Sequence, residues 1–426
     1  MRHILREVST HGAKQADPLL RKRGDILATA SVDRDKTEIP KFQKWLEKIK
    51  SITPIIKAAH ADIDDQRCLT DNLLNKLHEL GVFRFSLPQE LNGGQFSPYQ
   101  LSQVAEVLAN ADASVGWCFG QGSGCAMSAA FLDPKTAKTI FGPKNSVLAW
   151  GAGIAGKAIK CDGGYMVSGT WQFASGSGHA TWLGGHSKIF NSNGEPLLNT
   201  NGVQADRTAL FQKVAATIHD DWHVIGLKGT RSESYTVTNL FVPEELTLDR
   251  ENQDECRSQA PLYIFPTTLV YASCFSGVGL GIARGAVDDL IDVAKTKTQR
   301  SARSSMRESP VFQTKVAELE AQLSSARAYQ QSVLSRVSCS VFRTNELLQN
   351  DRAEIRLATT YAINQATDVV EKVYKLAGST AIFESRPFER RFRDMHAVSQ
   401  QMQARQSHYE TVGRYIMDLD SESVHM

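Results

Sequence analysis

Apolar residues repeat with a helical period at both ends of the chain and with short, turn-punctuated runs in the middle. From Ile39 to about Gly142 the spacing predicts helices. Phe42, Trp45, Leu46 and Ile49 form one stripe, and Leu73, Leu74, Leu77 and Leu80 form another that stops at Gly81. Ser97-Pro98-Tyr99-Gln100 combines an N-cap, a first-turn proline and an N3 glutamine, so a helix carrying Leu101, Val104, Ala105 and Leu108 starts there. Between Val147 and Pro243 the pattern turns to strands. Ala158-Ile159-Lys160 and Tyr165-Met166-Val167 flank Asp162-Gly163-Gly164 as a hairpin, Asn193-Gly194 marks a second turn, and a strand over 237–242 closes at Pro243. From about Pro261 the helical period returns. Ser309-Pro310 opens a long helix with Val316, Leu319, Leu323 and Ala326, and another stops at Gly378. The last is expected to run unbroken from Arg386-Pro387 past Tyr409.

The resulting expectation is α+β, mostly α, with a small barrel or sandwich in the middle of the chain. Residues 37–146 form an N-terminal helical domain, 147–250 the β domain, and 251–426 a C-terminal four-helix bundle. Residues 1–36 are polar, with mixed charges such as Arg21-Lys22-Arg23, and read as a loosely ordered extension. Glu7, Asp17 and Asp25 within it argue against an organelle presequence.

Composition narrows the function classes. A net charge of +2 gives no bulk attraction for nucleic acid. No apolar run reads as a membrane span, and the start lacks a secretory core. The 7 cysteines are scattered without a Cys-x-x-Cys pair, which fits buried thiols in a reducing cytoplasm. His219 and His223 have metal-compatible spacing only on a helix. Their context is strand-like, so no metal site is expected. The glycines of Gly277-Val278-Gly279-Leu280-Gly281 follow no strand and read as tight helix packing. Ala113–Ala130 is rich in small residues, which admit either another backbone or a flat ligand.

Four segments resemble the acyl-CoA dehydrogenase fold family. They are Pro88-Gln89-Glu90-Leu91-Asn92-Gly93-Gly94, the run from Trp222 through Gly226–Ser232 to Pro243, the run from Gly378 to Arg393-Asp394, and Gly169-Thr170-Trp171-Gln172-Phe173-Ala174-Ser175-Gly176 with Trp182 beyond it. The dehydrogenases need a carboxylate over the substrate carbon. Their usual base position falls near Met402 and the alternative one near Tyr271, and neither residue is acidic. Their adenosine-holding Arg-x-x-Phe-Gly is also missing from Arg300–Phe312.

The Trp-x-Phe-x-Ser-Gly form is similar to the two-component flavin monooxygenases. That resemblance implies an oxygenase that takes FADH2 or FMNH2 from a separate reductase and uses O2 to hydroxylate or epoxidise a small aromatic. Phe392–Gln401 looks most like indole and indole-3-acetate oxygenases, so an indole ranks first, a phenol second and a sulfur heterocycle third. The resemblance also implies a homotetramer, while cysteine usage, hydropathy and charge lead to the expectation of a cytoplasmic protein with neither membrane nor nucleic-acid partner. Ser175 is expected at the flavin N5 edge and His396 as the acid–base group. Trp171, Phe173, Arg303 and Arg393 are expected to hold the flavin, and Trp117 and Gln401 to line the substrate site. The alternatives are an acyl-CoA dehydrogenase and a bundle protein that has lost its chemistry.

Overall fold

Capping and periodicity become three successive groups of elements in the computed structural model, which describes residues 38–199, 201–298 and 304–419. The extension expected over 1–36 and the candidate Arg303 lie outside the described residues. The chain divides after Trp45. To the first unit the described residues contribute only the opening of α1 (Glu38–Ser51), and everything below concerns the second.

The first group comprises α2 (Thr53–Ala58), α3 (His60–Gln66), α4 (Asp71–Glu79), α5 (Pro98–Ala111), α6 (Ala113–Ala126) and α7 (Pro134–Phe141). The capping box at Ser97 forms as the sequence predicts: Ser97 N–H donates to Gln100 Oε1 at 2.9 Å, and Gln100 N–H to Ser97 Oγ at 3.3 Å. Asp112 separates α5 from α6 and caps the second, its carboxylate accepting the Val115 N–H at 3.1 Å.

The middle group is one sheet of β1 (Leu148–Trp150), β2 (Gly156–Cys161), β3 (Gly164–Trp171), β4 (Trp182–Phe190), β5 (Asp206–Gln212), β6 (Thr217–Ile218), β7 (Tyr235–Pro243) and β8 (Thr247–Leu248). Its order is β6-β7-β3-β2-β4-β5-β8, with β1 on β4. The predicted hairpin is β2–β3, turned by Asp162-Gly163 with Gly163 at φ +74°. Phe211 on β5 and Tyr235 on β7 stand four pairings apart, about 19 Å on a flat sheet. Their rings are 6.2 Å apart, so the sheet curls around a single interior of Val167, Trp171, Leu183 and these two rings.

The last group is α8 (Thr267–Thr296), α9 (Pro310–Thr344), α10 (Gln349–Ala377), α11 (Pro387–Ser399) and α12 (Ser407–Ile416). α8 corrects one expectation, since it is long and apolar enough to cross a membrane. It is instead an inner helix, with 94% of its most apolar window buried. Its glycines explain how. Side chains at Gly277 and Gly281 would collide with the carbonyls of Ser102 and Glu106, so α5 and α8 meet backbone to backbone.

A second correction concerns the C-terminal helix, which breaks after Ser399 into a 3₁₀ turn, Met402–Ala404, before α12. The break is tertiary in origin. Gln403 goes inward to the buried Arg356, and Asn364 on α10 donates to the Ala404 carbonyl at 3.2 Å.

Candidate active site

The β3–β4 connection carries the residues that the sequence singles out. Phe173 sits at φ +60°, a left-handed conformation that a bulky residue adopts only under constraint. The kink turns its ring outward, leaving Phe173 61% exposed with Trp222 edge-on at 6.1 Å. Two residues on, Ser175 is buried. Its Oγ accepts the Trp117 indole N–H at 2.9 Å and shares a hydrogen bond with Ser232 Oγ at 2.7 Å. Trp117 stacks on Phe275, 3.9 Å between centroids, and Phe275 stacks in turn on Tyr271. Gly120 and Gly124 of α6 make room for these two rings, so part of the small-residue stretch serves helix packing.

The turn opposite Ser175 joins the sheet to α11. Leu227, at φ +54°, donates its N–H to Asp394 Oδ1 at 2.7 Å. Gly226 lies so close to the Arg393 carbonyl that any side chain would clash. Behind this turn is a cleft of about 680 Å³ whose walls include His60, Asp64, Asp112, Arg390, Arg393 and Asp394. Its charges are largely paired with one another. Arg390 donates to Asp112, and His60 Nδ1 lies 2.9 Å from the same carboxylate. Burial alone would raise Asp112, but His60, Arg390 and the Val115 N–H together hold it below the usual carboxylate range. Burial pushes Asp394 up to about 7, the Arg390 charge pulling the other way. Such a charged cleft is unlike the apolar cavity that an aromatic molecule needs.

Ser175, Trp117 and Phe173 are therefore neighbours, but four other expected site residues are placed elsewhere. Trp171 corrects an expectation: it is wholly inside the sheet, its N–H spent on the His186 carbonyl at 2.9 Å, and has no surface for a flavin. Arg393 corrects another, since all three guanidinium nitrogens are committed to Glu389, Asp64 and the Ile225 carbonyl. It locks α11 to α3 and the sheet's loop. His396 is two residues from Asp394, about 200° around the helix. It faces α10, with Nε2 3.8 Å from Glu371 Oε1 and its ring 4.1 Å from Phe392, so within this chain it does not meet Ser175. Gln401 caps the 3₁₀ turn, its side-chain oxygen accepting the Gln403 N–H at 2.7 Å.

Sequence reasoning missed Thr230, Ser232 and Asp394 as parts of this site. All three lie in segments recognised as family marks, but their hydrogen bonds to the Ser175 side of the molecule exist only after folding.

An open apolar shelf beside a fixed hydroxyl fits a planar ring with one polar edge. Comparisons with known proteins give the family. The N-terminal and C-terminal domain models of acyl-CoA dehydrogenase match residues 50–133 and 273–406. The indole-3-acetate monooxygenase of Acinetobacter baumannii is 29% identical over 350 residues, covering 81% of this chain and 86% of that one. The Pseudomonas putida enzyme of the same name is 28% identical, covering 85% and 89%. XiaF from a Streptomyces species, solved with FADH2 and glycerol, superposes with a TM-score of 0.84 at 18% identity, covering 95% of this chain and all of that one.

Proposed function

The chain belongs to the acyl-CoA dehydrogenase fold family, in its flavin-dependent monooxygenase branch, and on that premise we propose that it is the oxygenase component of a two-component system acting on a small aromatic. Reduced flavin, FADH2 or FMNH2 from a separate reductase, supplies two electrons to dioxygen, so that one oxygen atom enters the aromatic and the other leaves as water. The chain's own residues bind, orient and exclude water. Phe173 and Trp222 offer apolar faces to the flavin ring. Ser175 holds its reacting edge, and the Trp117–Phe275–Tyr271 stack closes the protein side against solvent.

The observation that carries this reading is the Ser175 hydroxyl, fixed between Trp117 and Ser232 beside the exposed Phe173. An indole ranks first as substrate, in keeping with the named activity of the relatives, and a phenol second. The dehydrogenase alternative is disfavoured by Tyr271, at one of that family's base positions. Burial raises its hydroxyl well above the usual range, it lies 3.5 Å from the Cys125 sulfur, and it has no carboxylate character. A homotetramer working in the cytoplasm, where a reductase can supply the flavin, belongs to the same proposal.

The test is turnover of a panel of indoles and phenols with O2 and a generic flavin reductase, with the products identified. Oxygenated product is expected only when reductase and O2 are both present. Acyl-CoA-dependent dye reduction by a tightly bound yellow flavin would overturn the reading.

A further inference from the structure

Ser175 is the end of a chain of hydroxyls whose proton directions are fixed by a single carbonyl. Thr230 Oγ1 lies 2.8 Å from the Leu227 carbonyl, which can only accept, so the Thr230 proton is spent there. Ser232 Oγ lies 2.7 Å from Thr230 Oγ1, and that bond is therefore donated by Ser232. The 2.7 Å bond between Ser232 and Ser175 must then be donated by Ser175. With its proton committed and the Trp117 N–H occupying one lone pair, Ser175 has a single lone pair left with which to accept a further hydrogen bond.

The turn that sets this polarity is itself held under constraint. Leu227 and Arg231, at its two ends, are both left-handed, at φ +54° and +45°. Non-glycine residues keep such conformations only where the surroundings impose them. Here Asp394 holds the Leu227 N–H, Gly226 lies on the α11 backbone, and Gly229 is pressed against Ile63 and Ser114. The same turn of α11 also supports the other partner of Ser175. Arg390, one helical turn before Asp394, binds Asp112, the cap of the helix that carries Trp117.

We propose that Thr230 and Ser232, on a turn anchored to α11 by Asp394, are positioning residues that fix the Ser175 hydroxyl as a hydrogen-bond acceptor for the N5–H of reduced flavin. The inference rests on the reading of Ser175 as the residue at the flavin edge. Reduced flavin carries a proton on N5 and oxidised flavin does not, so an acceptor there favours the reduced form. Removing the Thr230 hydroxyl frees the Ser232 proton, allows the chain to reverse and weakens that selectivity.

The experiment is an anaerobic titration of flavin-free protein with FMNH2 and FADH2, and a parallel titration with the oxidised forms. Amide hydrogen exchange across 226–232 is followed in the same flavin-free samples. Wild type is expected to prefer reduced flavin. Thr230→Val and Ser232→Ala should narrow the oxidised-to-reduced ratio of dissociation constants by roughly 3–10-fold, the value of one hydrogen bond, with unchanged circular dichroism. Asp394→Ala should speed exchange at Leu227, whereas Asp394→Asn, which keeps an acceptor oxygen, should restore protection. Ser175→Ala distinguishes the role of Ser175 from that of the hydroxyls behind it. If it leaves the ratio unchanged, the reading of Ser175 fails and the inference with it. If it narrows the ratio while Thr230→Val and Ser232→Ala do not, the relay is overturned and Ser175 stands. Unchanged Leu227 exchange in Asp394→Ala overturns the anchoring.

Discussion

Trp117 and Phe275 lie face to face, 3.9 Å apart and 8° from parallel, and this stack joins the helix beneath Ser175 to the inner helix of the bundle. Both rings are buried, and Phe275 rests against Gly120. Phe275→Ala is expected to cost about 3–5 kcal/mol, as truncation of a buried aromatic does. Gly124→Ala pushes a methyl group into the Tyr271 ring and is expected to cost about 1–3 kcal/mol. Urea denaturation measures both, and losses below about 1 kcal/mol would mean that the stack is not a packed core.

Trp117→Phe separates packing from hydrogen bonding. It keeps an aromatic ring on Phe275 and removes the N–H that Ser175 accepts. Stability is expected to change little, while product formed per reduced flavin consumed falls and H2O2 rises. Unchanged coupling would show that the Trp117–Ser175 bond does not serve the reaction.

His396→Ala is expected to leave coupling and rate within about threefold of wild type, because His396 faces Glu371 and Phe392 rather than Ser175. A positioned acid–base group contributes about 10²–10⁴-fold. A loss of that size in steady-state turnover would restore His396 to the site and overturn this placement.

Asp394 predicts a pH dependence. Burial raises its carboxyl from 3.8 to about 7, against the pull of Arg390 and with the charges of Asp112 and Asp64 adding to the rise. A raised carboxyl pKa stabilises the fold fully below the unfolded value, and that contribution is lost as pH climbs through about 4 to 7. The amide in Asp394→Asn does not titrate. The melting temperature of the variant minus that of wild type should therefore increase between pH 5 and pH 8. A flat difference across that range would show that Asp394 keeps one protonation state.

Local signals in the sequence were sufficient wherever a short stretch carries its own physics. The capping box at Ser97, the Asp162-Gly163 turn and the stop at Gly378 depend on neighbouring residues, and each forms where the sequence places it. Ser175 and Phe173 could be singled out from the sequence because they sit in a glycine-bounded segment that carries the family resemblance, whereas the hydrogen bond that brings Trp117 to Ser175 spans 58 positions.

What the sequence could not decide depends on direction and on distant partners. Trp171 and Phe173 are two residues apart, yet one faces the sheet interior and the other solvent, because the chain leaves β3 between them and Phe173 turns left-handed. His396 and Asp394 are equally close in sequence and lie about 200° apart on one helix. The break after Ser399 and the Asp394–Leu227 bond join residues tens to more than a hundred positions apart. Spacing along the chain fixes period and turn, whereas these contacts are set by how α10, α11 and the sheet pack together, and only the tertiary structure decides that.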